Sequence, residues 1–147
     1  MVTTAQPRLV KPPTAPRPFR PVLRLETTLL TAVLLAQLVL GAATVAFVSL
    51  TSGDPQPAWL LDVHAAVGAL ATLLAIALLV GSARARDGYW VVRSAVVLGS
   101  LLVAFACGDR VVRTDGQAGW ASFLMAVGAV VALAVCVRLL AATRGTR

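Results

Sequence analysis

At 147 residues the chain suits a single domain. Apolar residues make up 59% of it and charged residues 13%, against roughly 45–50% and about 25% in soluble domains, and the mean hydropathy is +0.86, so there is too little polar surface to coat a small soluble fold. A net charge of +7 and a pI near 11.3 would suit nucleic acid in a soluble protein, but the basic residues fall between apolar runs, which excludes nucleic acid as a partner and makes the lipid bilayer the solvent.

Residues 1–24 hold six of the eight prolines, together with Arg8, Lys11, Arg17, Arg20 and Arg24, and no acid. Proline removes backbone donors and interrupts helices, and nothing here builds a core. The segment reads as a disordered, basic cytoplasmic tail. A four-helix transmembrane domain is expected over 25–142, with spans at about 27–50, 58–81, 90–108 and 118–140, and a short cytoplasmic tail at 143–147. Inside hydrocarbon every backbone amide must bond within its own segment, so apolar runs of roughly 20 residues become helices. The third span is the weakest, because its charge-free stretch from Ser94 to Gly108 covers only about 22 Å, and it reaches full length if Arg93 snorkels.

Loop charges alternate. Placing the N-terminal tail inside puts eleven of the thirteen basic residues on the cytoplasmic side and leaves Arg110 and Arg113 outside. Tyr89 and Trp90 then mark the inner interface, and Trp59 and Trp120 the outer one. The expected fold is all-α, an up-down-up-down bundle of four membrane helices, multi-pass in the inner (plasma) membrane with both termini cytoplasmic. The first span, at about 22 apolar residues, exceeds the roughly 7–15 of a signal-peptide core. There is also an internal echo: WLLDVHAAVGAL opens the second span and WASFLMAVGAVV the fourth, so that His64 and Met125 each lie five residues after a Trp.

No P-loop, dinucleotide fingerprint, Cys/His cluster or catalytic triad is present, so the expectation is a non-catalytic protein, and interest passes to polar residues inside the spans. His64 is the only histidine and shares a helix face with Gly68, Thr72, Ala75 and Leu79. A face of small residues meets another helix, so His64 should point into the bundle, bonded to a backbone carbonyl or to Asp62, or acting as an axial haem ligand. Met125 is the matching residue on the fourth span and would complete a His/Met pair. Cys107 adds a soft donor of the kind Cu(I) takes; otherwise Cys107 and Cys136 are small packing residues. Gln37, at mid-span, needs an interhelical partner, yet counting rise from the span ends puts it roughly 12 Å deeper than His64, out of reach. Asp109, Arg110, Arg113 and Asp115 are expected in the outer loop as solvated ion pairs.

AQLVLGAATV (36–45) and LDVHAAVGAL (61–70) resemble one half of a haem A synthase, and likewise small four-helix bacterial membrane proteins of that build. In that pattern a Gln followed four residues later by Gly sits in the first helix, which matches Gln37 and Gly41, and a haem-ligating His opens the second, which matches His64. The likeness covers the first two spans; Met125 stands where the family has a further His. The Ala-, Arg- and Val-rich composition resembles that of actinobacterial proteins. Three function classes follow: an accessory or interaction subunit of a larger membrane complex or of a self-association; a haem-binding protein for electron transfer or haem handling; and a small transporter or channel element.

Overall fold

The computed structural model describes residues 20–50, 58–113 and 119–144, with side chains described for 20–44, 59–113 and 119–143. Most of the basic tail, the 51–57 connection, Asp115 and the last three residues lie outside these. Four helices follow one another: α1 (Arg20–Leu50), α2 (Ala58–Arg84), α3 (Gly88–Arg113) and α4 (Gly119–Arg144). Each packs on its chain neighbour, and α1 closes the ring against α4. All four are long and apolar enough to cross a bilayer, so the chain is an all-α, multi-pass membrane bundle.

Two boundaries differ from expectation. Helix α1 begins at Arg20, so residues 20–24 belong to the bundle and not to the tail. Pro21 falls in the first turn, where its missing N–H is one that no helix would use anyway, and Leu23 is already only 1% exposed. Helix α3 runs on to Arg113, so Asp109, Arg110 and Arg113 form its last turn instead of a loop. Basic residues suit the negative end of the helix dipole, and Arg113 bonds Asp109 at 2.7 Å, one turn back. Both side chains are exposed, so this pair contributes little.

One core cluster runs through the half of the bundle that holds the α2–α3 turn. It is built from Leu23, Leu30 and Leu34 of α1, Ala71, Ala75 and Leu78 of α2, Val97 and Leu101 of α3, and Ala132, Cys136 and Leu139 of α4. Trp90 joins it, 7% exposed, because it shares a helical face with Ser94, Val97 and Leu101. Trp59 and Trp120, by contrast, stand exposed at the opposite end, as in an aromatic belt. Intramembrane hydroxyls are satisfied locally: Thr27, Thr31, Thr72 and Ser82 donate to carbonyls one turn back. The Ser82 and Ser94 hydroxyls also meet at 3.0 Å, joining α2 to α3.

The α2–α3 turn is three residues long. Arg86 takes a left-handed φ of 53° that ends α2, and Asp87, 4% exposed, caps α3. Its Oδ1 accepts from the Tyr89 and Trp90 amides at 3.1 and 3.4 Å. Asp87→Ala should therefore cost about 0.5–2 kcal/mol, read as earlier unfolding in SDS titrations of detergent-purified protein. An unchanged midpoint would mean that the cap carries no weight.

A candidate polar site between the first two helices

Helices α1 and α2 approach closely because each offers a glycine where the other carries a polar side chain. A Cβ on Gly41 would lie 3.4 Å from His64 Cε1, and one on Gly68 would lie 3.2 Å from Gln37 Nε2. The spacing is reciprocal, since Gly41 follows Gln37 by one helical turn and Gly68 follows His64 by one turn. With both helices lowered onto each other, Gln37 Nε2 and His64 Nε2 come to 3.0 Å. The sequence-based separation of these residues is thus overturned. That count set Leu50 level with Trp59, whereas the antiparallel register places Gly41 opposite His64. Helix α1 therefore extends roughly four residues, about 6 Å, past the start of α2, and the long Gln37 side chain spans the remainder.

The small-residue face of α2 does meet another helix, as its composition predicts. His64, however, pairs with Gln37 and not with Asp62, which is exposed. In the assigned amide orientation Gln37 donates and His64 Nε2 accepts, which makes Nδ1 the protonated nitrogen; the flipped amide gives an equivalent single bond. The remaining polar atoms, Gln37 Oε1 and His64 Nδ1, are sealed from solvent without a hydrogen-bond partner.

Met125 lies in the other hairpin. It packs beside Cys107 and Ala121, and its Sδ would sit 3.4 Å from a Cβ on Gly108. The sequence echo has a spatial counterpart here. Gly41 beneath His64 corresponds to Gly108 beneath Met125, and Gln37 against Gly68 corresponds to Ala104 against Gly128. The second hairpin keeps the close contact and replaces the polar pair with Ala and Met. Nothing in the sequence marked Ala104 and Gly108 as the counterparts of Gln37 and Gly41, because Ala and Gly are common throughout these spans.

Haem ligation can be tested on this geometry. An axial histidine must turn one nitrogen toward iron. His64 Nε2 is held by Gln37 and Nδ1 is enclosed, so the residues as packed do not fit a haem ligand set. For Cu(I), Met125 and Cys107 share one cluster while His64 belongs to the α1–α2 contact. Among the described residues no group of three or more His, Cys, Asp or Glu side chains could hold a metal ion. Both cysteines are buried and free.

The fold and this site define a class: a four-span helical membrane protein with a polar tie inside its first hairpin. No protein-family model, curated protein or solved structure matches the chain.

Proposed function

We propose that this chain is a non-catalytic accessory or interaction subunit of the membrane, in which the Gln37–His64 contact fastens α1 to α2. The carrying observation is the 3.0 Å bond between two side chains that each rest on the partner helix's glycine. A histidine used this way holds helices together and does not present itself to a substrate. The outer faces are left to lipid or to a larger assembly, with Leu25, Val39, Leu73, Phe105 and Phe123 among the exposed apolar side chains. Extracted in mild detergent, the tagged chain should co-migrate in fixed stoichiometry with a larger membrane complex or with itself. A lone monomer would count against that role. A Soret band that appears on adding haem and disappears in His64→Ala would replace it with the haem reading.

The same proposal sets both termini in the cytoplasm of the inner-membrane topology. Arg24, Arg84, Arg86, Arg93 and Arg138 all lie at the end of the bundle that holds the α2–α3 turn, and positive charge is retained on the cytoplasmic side. Reporter fusions at the two ends should report the same compartment, and that compartment should be the cytoplasm. A split result would break the four-crossing topology.

A further inference from the structure

Helices α3 and α4 meet most tightly at Gly128, where a Cβ would lie 2.7 Å from the Ser100 carbonyl oxygen and 3.2 Å from Ala104 Cβ. Such close backbones leave a shallow trough on the outward side of the hairpin. It is a groove of about 350 Å³, walled by Val96, Gly99 and Val103 of α3 and by Leu124, Val127 and Val131 of α4. These walls face away from the core and are exposed. Apart from Ser100 the lining is apolar, and the α3 wall is open at Gly99, where a Cβ would meet nothing within 4 Å.

Both walls lead to an arginine at the same end. On α3, Arg93 precedes Val96 by three residues, and on α4, Arg138 follows Val131 by seven, so each continues the stripe that lines the groove. The register agrees: Gly128 faces Ser100 and Ala104, and Met125 faces Gly108, which in an antiparallel pair sets residue 138 near residue 93. Arg93 is held in place. Its guanidinium lies 3.3 Å over the Tyr89 ring, and Nη1 donates to the Tyr89 carbonyl at 3.5 Å. Arg138 is exposed at the same end of the bundle.

A largely apolar trough whose two walls both run toward an arginine at the same end suits one molecule class. We propose that the α3–α4 face binds an anionic phospholipid, with an acyl chain lying along the trough past Gly99 and the phosphate between Arg93 and Arg138. Charge complementarity commits the occupant. Hydrocarbon alone would fill the trough equally from any lipid, but two guanidiniums at its mouth favour a phosphate that carries net negative charge. The site stands apart from the Gln37–His64 tie and does not depend on what that tie does.

The test is native mass spectrometry of the full chain in mild detergent, titrated with phosphatidylglycerol and with phosphatidylcholine. One phosphatidylglycerol should be retained in preference to phosphatidylcholine. Arg93→Gln and Arg138→Gln should each weaken phosphatidylglycerol retention about five-fold. Arg84→Gln with Arg86→Gln, exposed arginines at the same end, should leave the preference in place. Gly99→Leu adds a side chain to the trough at a point where its Cβ meets nothing within 4 Å, so it should reduce retention of both lipids while the thermal melt stays unchanged or rises slightly. Equal losses from the two arginine pairs would reduce the effect to a general basic collar and overturn the site. A Gly99→Leu variant that splits a dimer and leaves lipid selectivity intact would assign the trough to a second copy of the chain instead.

Discussion

Gly128→Val is expected to loosen the α3–α4 hairpin by about 1–3 kcal/mol, while the same exchange at Gly99 leaves stability unchanged or slightly higher. The two glycines sit on facing helices of one hairpin and differ only in what surrounds them. At Gly128 an added Cβ would lie 2.7 Å from a backbone carbonyl oxygen. A main-chain atom cannot rotate away, so the helices must part and the packing around Ala104 and Ala132 must part with them. Overpacking of this kind costs about 1–3 kcal/mol. The rise in helix propensity on replacing glycine offsets it by only a few tenths for a β-branched residue. At Gly99 there is no opposing cost, because nothing lies within 4 Å. SDS-titrated unfolding followed by circular dichroism would separate the two variants. Equal midpoints would show that the Gly128 contact does not hold the hairpin.

A comparable loss is expected from either half of the polar tie. Gln37→Leu leaves His64 Nε2 enclosed without its bond, and His64→Leu does the same to the Gln37 amide. The lost interhelical bond is worth about 0.6–2 kcal/mol in a membrane, and an orphaned buried polar group adds about 1–3 kcal/mol, so each single change should cost about 2–3 kcal/mol. The double change to leucine removes both polar groups at once. It should cost less than the sum of the singles, with a coupling of about 1–2 kcal/mol. Strictly additive singles in a double-mutant cycle would mean that Gln37 and His64 do not act together. Two atoms of the pair, Gln37 Oε1 and His64 Nδ1, already lack partners in the folded protein. The tie therefore carries a standing cost that offsets part of what its bond contributes.

Hydrophobicity and length were enough to establish four helices, their order and their membrane setting. Long apolar runs with arginines between them have no other stable form, since hydrocarbon leaves the backbone no partner but itself. The polar candidates were also legible one at a time: Gln37 as a residue needing a partner, His64 as one turned toward another helix, Met125 as its echo. Boundaries were less legible. Pro21 looks like a helix breaker to a rule based on composition, but in a first turn it breaks nothing. Asp109 and Arg110 look like loop residues until the helix is seen to continue beneath them. What composition could not supply was register. Whether Gln37 reaches His64 depends on how far α1 slides along α2, and that is decided by where Gly41 and Gly68 let the backbones close, a fit between surfaces far apart in the chain. The same holds for the trough between α3 and α4: Gly99 and Gly128 are alike as letters, and only packing makes one an open stretch of wall and the other a point of contact.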